Sequence, residues 1–242
     1  MNYYTKKFEI PYIDINKNFN ATPTAILRYL QEMATIHGDM LGVGLSTIHI
    51  THIAWILLDW KVKMFKYPKW NEKISITTWP RSFQGLYAFR DYEIKSSTNE
   101  ILGVATSKWL IFDIEKKRPK KATKEIIGNF QFGEKSVFDD ELKKIKEPEQ
   151  IDCTHKYIVK RMHIDTNGHV NNTWYLDFAL EALPEIVYDK EIIDIQISYK
   201  KECRLNDELI FEYSNIGSNE HIICIKNNDL SILHTIIKVK TI

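Results

Sequence analysis

The densest run of residues able to do chemistry is His163-Ile164-Asp165-Thr166-Asn167-Gly168-His169-Val170-Asn171-Asn172. A carboxylate, a carboxamide and an imidazole recur there at every second position, from Asp165 through Asn167 to His169. In an extended or looped segment that spacing points the three side chains the same way. A carboxylate can act as general base to water or attack a carbonyl carbon directly. The run lies just before a helical pattern, and a helix start offers unpaired N–H groups and a positive dipole end that can hold a developing oxyanion. Two other readings stand beside this one. Asp-x-Asn-Gly is a turn signature, and Asn171 or Asn172 makes an ordinary helix cap. His163, Asp165 and His169 are also residue types that ligate a metal. A calcium loop is excluded, because Gly168 comes too early and no bidentate Glu closes the loop.

The elements that must position this run repeat along the chain. Two copies of one plan are legible, a helix followed by several long strands. In the first copy Thr22 can cap a helix with Pro23 at its first position. Ile26, Leu30, Met33, Ala34 and His37 then recur at helical spacing, and Gly38 or Gly42 can end the helix. In the second copy Tyr175, Phe178, Ala179, Ala182, Leu183 and Ile186 mark one buried helical face, which Pro184 should kink or shorten. Strands are expected at residues 54–64, 73–79, 87–95 and 104–114, and again at 192–203, 208–213, 221–225 and 232–239. The turn Lys69-Trp70-Asn71-Glu72 resembles Arg204-Leu205-Asn206-Asp207, which argues duplication. The counterpart of the polar run, Ile15-Asn16-Lys17-Asn18-Phe19-Asn20, has neither histidine nor acid. The expected division is a first repeat over 1–128, a charged linker over 129–150 and a second repeat over 151–242. The fold class is α+β, two tandem helix-plus-antiparallel-sheet repeats.

The whole-chain properties are those of a soluble globular protein: 242 residues, 44% hydrophobic and 27% charged. A formal net charge of +1 gives no global pull toward nucleic acid or a membrane. The longest stretch free of Asp, Glu, Lys and Arg, Met40 to Leu58, carries Ser, Thr, His and Gly and makes a poor spanning helix. Met1 to Lys7 runs straight into a strand-like segment, with no signal-peptide pattern. Cys153, Cys203 and Cys224 are odd in number and unpaired in spacing, which suits a reducing, cytoplasmic setting.

The run Asp165-x-Asn167-x-His169-Val170-Asn171-Asn172, followed by Tyr175 and Glu181, resembles the active-site motif of plant and bacterial acyl-carrier-protein thioesterases. Tyr67-Pro68-x-Trp70 with Ile74-x-Ile76-x-Thr78-Trp79, Arg90-Asp91-Tyr92, Ala105-Thr106-Ser107-x-Trp109 and Tyr199-Lys200-Lys201-Glu202-Cys203 are similar to other segments of that family. The resemblance covers nearly the whole chain. It implies a double hot-dog, each half a central helix wrapped by an antiparallel sheet, with the first half shaping an acyl-chain tunnel. It implies hydrolysis of a fatty acyl thioester in fatty acid biosynthesis, no cofactor, and an acyl carrier protein as partner. No nucleic-acid or membrane partner is expected, and a homodimer is left open. Without an amino-terminal targeting extension, the chain looks like a bacterial-type member.

By that resemblance Asp165, Asn167, His169 and Glu202 form the catalytic set. The sequence does not fix which carboxylate acts, and a thiol mechanism through Cys203, His169 and Asn167 is the rival. Neighbours on a regular strand face opposite ways. Ile193, Ile195, Ile197, Tyr199 and Cys203 share one parity and Glu202 the other, so a bulge within Lys200-Lys201 is needed to reverse the phase. An acyl-coenzyme A thioesterase, a hot-dog hydratase or dehydratase and a noncatalytic acyl-binding module are the alternatives in function. Lys116, Lys117, Arg118, Lys120, Lys121 and Lys124 form a basic run that can meet an acidic carrier or simply lie solvated. Met33, Met40, Trp55 and Trp79 can line a tunnel or fill the core. Arg90 and Asp91 can position substrate or form a cross-strand ion pair.

Overall fold

A computed structural model describes residues 3–140 and 142–242. The chain divides into two compact units, one running to Leu58 and on from Val62 to residue 140, the other Leu142–Ile242 with Asp59–Lys61.

The first unit holds β1 (Tyr4–Glu9), α1 (Pro23–Met40), α2 (Ile48–Thr51), β2 (Ile53–Met64), β3 (Lys73–Gln84), β4 (Tyr87–Ser96), β5 (Ile101–Asp113), β6 (Arg118–Pro119) and α3 (Lys124–Ile127). Its strands lie in the order β1-β3-β4-β5-β2, with β6 beside β5. The ladders joining β1, β3, β4 and β5 are antiparallel. The Thr22 side chain accepts the Ala25 amide at 3.1 Å, and Pro23 opens α1 without an N–H to satisfy. Gly38 lies inside the helix, and Gly42 closes it at φ +78°. There the Gly42 and Val43 amides return to Asp39 and Gly38, the paired bonds of a Schellman end. Ile26, Leu30, Met33, Ala34 and His37 are all buried, as their spacing predicts. Burying Ile26, Leu30 and Met33 contributes roughly 1.5–3 kcal/mol each, against about 1 kcal/mol for the cap. Packing therefore decides which face of α1 turns inward, and the cap decides where it begins.

The second unit holds β7 (Cys153–Ile158), α4 (Trp174–Glu181), α5 (Glu185–Tyr188), β8 (Ile192–Tyr199), β9 (Glu208–Asn215), β10 (Glu220–Asn227) and β11 (Leu233–Thr241). Its order, β7-β9-β10-β11-β8, is the order of the first unit strand for strand. Tyr175, Phe178 and Ala179 are the buried face of α4, and Ala182 and Leu183 continue it just past the helix end. Ile186 does not belong to that face and is 78% exposed. Pro184 has no amide to continue the helix, so α5 starts afresh and turns Ile186 to solvent.

Three further departures from the sequence pattern have local causes. β7 ends the sheet and its residues are mostly exposed, so its polar run Cys-Thr-His-Lys-Tyr-Ile lacks the alternation that marks a half-buried strand. β8 ends at Tyr199 and not at Cys203, because the Lys200 and Lys201 amides both turn to the single carbonyl of His234, at 2.8 and 3.2 Å. Met33 and Trp79 are core, Trp55 is half-buried with its Nε1 on the Val43 carbonyl, and Met40 is exposed. Among the described residues no helix is long and apolar enough to cross a membrane.

Candidate active site

The run from Asp165 to His169 is a loop closed on its own carboxylate. Asp165 Oδ1 accepts the amides of Asn167 at 2.8 Å and His169 at 3.3 Å. Its backbone amide returns to the His169 carbonyl at 2.8 Å, and Gly168, at φ +77°, donates to the Asp165 carbonyl. The Asn167 carboxamide reaches Asp165 Oδ2 at 3.5 Å. Asp165 and His169 are half-buried, and Asn167 is exposed. Asp165 thus meets His169 at its backbone amide.

The first unit builds the same loop from different side chains. Asn16 Oδ1 accepts the amides of Asn18 and Asn20 at 2.9 and 3.2 Å, and the Asn16 amide bonds the Asn20 carbonyl at 2.8 Å. Phe19 occupies the left-handed position of Gly168, at φ +61°, and donates to the Asn16 carbonyl. The loops then dock alike. Ala21 bonds the Pro68 carbonyl at 2.8 Å, and Val170 bonds the Cys203 carbonyl at 2.9 Å. The two similar turns also match bond for bond: Glu72 and Asp207 each accept the amide three residues back with a carboxylate oxygen, and Asn71 and Asn206 are left-handed. Asp165 and His169 therefore stand where the other loop has Asn16 and Asn20.

Behind the catalytic-type loop, His163 is buried among Tyr157, Trp174 and Phe178. Its Nδ1 accepts the Lys160 amide at 3.0 Å, so in the neutral ring Nε2 carries the proton and donates to the Tyr157 hydroxyl at 3.2 Å. Both nitrogens are thereby used within the protein, and the trio of His163, Asp165 and His169 is not assembled as a ligand set. Among the described residues no group of three or more His, Cys, Asp or Glu is placed to hold a metal ion.

The Val170 to Cys203 bond brings the loop to the end of the β8 segment. Cys203 is fully buried, its amide donates to the Tyr175 hydroxyl at 2.9 Å, and burial pushes its thiol up to about 12. Such surroundings are those of a small buried hydrophobe, and they disfavour the thiolate. Glu202 is exposed on the wall of an open cleft of about 560 Å³ together with Lys201, Arg204, Asn227 and His234. Asp165, Asn167 and His169 do not line that cleft. Among the described residues the Glu202 carboxylate accepts no hydrogen bond and forms no ion pair, so it is not committed to the scaffold. The Lys200-Lys201 bulge expected from the parity is present, yet Cys203 stays inward and Glu202 outward. Two links escaped the sequence pattern. Tyr199 donates to the Asn172 carbonyl at 2.9 Å, and Tyr157 receives His163; both tyrosines sit in strands and read there as apolar residues only.

Arg90 and Asp91 are not partners of each other. Arg90 is buried and bonds His37 Nδ1 at 2.8 Å and Thr78 at 3.2 Å, whereas Asp91 takes the Val137 amide and lies 3.5 Å from Arg81 across the strand. In the basic run Lys116, Lys117, Arg118, Lys121 and Lys124 are exposed, and Lys120 lies 3.9 Å from Asp113.

Comparison with known proteins agrees with this architecture. The family profile "Acyl-ACP thioesterase N-terminal domain" matches residues 1–130, and "Acyl-ACP thioesterase C-terminal domain" matches 146–240. Similar folds include an acyl-ACP thioesterase from Bacteroides thetaiotaomicron, with a TM-score of 0.89 at 23% identity over 98% of this chain and 97% of that one. The 12:0-ACP thioesterase from Umbellularia californica aligns with a TM-score of 0.88 at 19% identity, over 98% and 96% of the two chains. Each unit is a hot-dog. The chain belongs to the acyl-ACP thioesterase family. Its relatives include the chloroplastic oleoyl-acyl carrier protein thioesterase of Coriandrum sativum, 27% identical over 84% of this chain. The palmitoyl-acyl carrier protein thioesterase of Cuphea hookeriana is 26% identical over 83%. The chain spans 60% of the length of the first and 52% of the second.

The buried His163 makes stability depend on pH with a definite sign. Burial holds its pKa below the ordinary histidine value of about 6.5. The neutral ring is the folded form, so stability is full above about pH 6.5 and is lost as pH falls from there toward the lowered folded value. The limit for one such group is about 1.4 kcal/mol per pH unit. His221, shifted the same way, adds a second share. Chemical denaturation at pH 7 and pH 5 is expected to show a smaller loss in His163→Asn than in the parent, and an equal loss would exclude His163 as a source.

Proposed function

We propose that this chain hydrolyses the thioester joining a fatty acyl group to an acyl carrier protein, releasing the free fatty acid and the carrier thiol. One observation carries this. Two loops share a backbone hydrogen-bond pattern, and the one that lacks an acid and an imidazole is held just as well as the one that has them. The charge of Asp165 and the imidazole of His169 are therefore surplus to folding and explicable by chemistry. The family membership and the names of the relatives support the substrate class.

In the proposed reaction the Glu202 carboxylate takes a proton from water while the water oxygen bonds the acyl carbon. His169 or Asn167 donates to the carbonyl oxygen as it becomes an oxyanion. When the carbonyl re-forms, the carbon–sulfur bond breaks and the sulfur leaves with the proton that Glu202 had taken. Asp165, with Oδ1 occupied by two loop amides, holds the loop and the Asn167 carboxamide. The three cysteines are unpaired, in keeping with a reducing, cytosolic setting.

The assay is release of free thiol from acyl-carrier substrates, with acyl-coenzyme A as a second arm and double-bond changes monitored to detect a lyase. Asp165→Asn preserves the loop bonds, as Asn16 does in the first unit, so circular dichroism should remain that of the parent. Asp165→Asn, His169→Ala and Glu202→Ala are each expected to lose about 100-fold or more in rate. Cys203→Ala should keep most activity. A dead Cys203→Ala beside an active Glu202→Ala would instead establish the thiol mechanism.

The first unit, over residues 1–128, is proposed to hold the acyl chain, with Ala34 on the buried face of α1. A bulky replacement there, Ala34→Trp, is expected to shift turnover toward shorter chains; an unchanged length profile in a folded variant would remove the first unit from chain selection.

Docking of an acidic carrier is proposed on the lysines after β5, of which Lys117 and Lys121 are exposed and Lys120 is half-buried beside Asp113. Turnover of carrier substrates should fall as added salt shrinks the Debye length to about 8 Å and below, with small thioester mimics less affected. Reversing Lys117, Lys120 and Lys121 to Glu should raise KM for the carrier substrate alone. An unaltered KM would move docking elsewhere.

A further inference from the structure

The matched loops and turns expose one pair of positions where the two units differ in a coordinated way. Pro68 and Cys203 occupy the same place, each with its carbonyl taking the amide that follows the loop. Pro68 has no N–H. The residue of α1 that corresponds to Tyr175 by the loop register is Ile26, which is buried and has no acceptor to offer. In the second unit both halves of a bond are present. Cys203 has an N–H, Tyr175 has a hydroxyl, both residues are at most 2% exposed, and the two atoms lie 2.9 Å apart. The donor and its acceptor are both present or both missing.

That bond sits next to Glu202. The amide that donates to Tyr175 belongs to the peptide joining Glu202 to Cys203, and the Cys203 carbonyl is held by Val170, beside His169. On the other side the Lys200 and Lys201 amides are fixed on His234. Tyr199, whose ring meets Tyr175 at 5.7 Å, ties the end of β8 to Asn172. The Glu202 side chain therefore springs from a backbone held both before and after it.

We propose that Tyr175 is a positioning residue for Glu202, acting through the Cys203 amide, and that Cys203 serves by its N–H and not by its thiol. This rests on the proposal that Glu202 is the general base. An exposed carboxylate gains nothing from its own contacts in holding a reactive angle, so the peptide at its root must hold it, and a misplacement of about 1 Å can cost on the order of 100-fold in rate.

The experiment is a cycle of Tyr175→Phe, Cys203→Pro and the two together, assayed for kcat, KM and thermal midpoint on one acyl-carrier substrate. Tyr175→Phe, measured well below its midpoint, is expected to lower kcat by about 10-fold or more with KM within about twofold. Cys203→Pro alone places a ring carbon against the Tyr175 hydroxyl and should have the lowest midpoint. Combined with Tyr175→Phe it recreates the pairing of Ile26 and Pro68, and its midpoint should rise above that of Cys203→Pro. On a Glu202→Ala background Tyr175→Phe should remove nothing more from kcat. A parental kcat in Tyr175→Phe, a midpoint loss in the double variant equal to the sum of the singles, or a further drop on the Glu202→Ala background each overturns the proposal. If Tyr175→Phe does not fold alone, the double variant decides: a folded protein supports the pair and an unfolded one overturns it. A normal rate in Glu202→Ala, by contrast, strikes at the general base itself and is read separately from these outcomes.

Discussion

A single backbone hydrogen bond, from the Val170 amide to the Cys203 carbonyl, ties the loop carrying Asp165 and His169 to the segment carrying Glu202. Two side-chain bonds reinforce it, from the Tyr199 hydroxyl to the Asn172 carbonyl and from the Cys203 amide to the Tyr175 hydroxyl. The bond is possible because the β8 segment leaves its ladder at Lys200 and Lys201, where two amides share the His234 carbonyl and the chain turns out of the sheet. It is protected because Cys203 is fully buried, so water does not compete for the carbonyl.

Around this bond, burial assigns the parts. The thiol goes inward and is raised far from ionisation, the glutamate goes outward to an open cleft, and His163 is kept neutral by burial, with an amide on its Nδ1 fixing the tautomer. Nothing in these assignments depends on a large net charge, which the chain lacks. Aromatic rings pack around these parts: Phe211 stacks on Tyr157 and Phe178 at 5.5 and 5.6 Å, and those two meet tilted at 4.9 Å.

Much of this was legible in the residues. Thr22-Pro23, Gly42 and the buried faces of α1 and α4 follow from capping chemistry and helical spacing, and the paired turns at Asn71 and Asn206 announce the repeat. What was not legible had physical causes. β7 is mostly exposed, and a strand that buries little of itself has no face to mark by alternation. Ile186 fits the helical period of α4 but lies beyond a proline that ends the helix. The face that Glu202 presents depends on a bulge closed by a carbonyl more than thirty residues away, which no local pattern encodes. The roles of the tyrosine hydroxyls are likewise set by partners distant in the chain, and a strand pattern counts those rings simply as apolar.

The loop is closed by Asp165 in one unit and by Asn16 in the other. The oxygen that folds the loop is common to aspartate and asparagine, whereas the charge is not. The oxygen that closes the loop and the charge are therefore separable, and an exchange between acid and amide in either half leaves the backbone bonds as they are. Phe19 holds the left-handed position that Gly168 takes in the other loop, so the shape survives there without a glycine. One molecule thus carries two loops of the same backbone, one with an acid and an imidazole and one with two amides in their places.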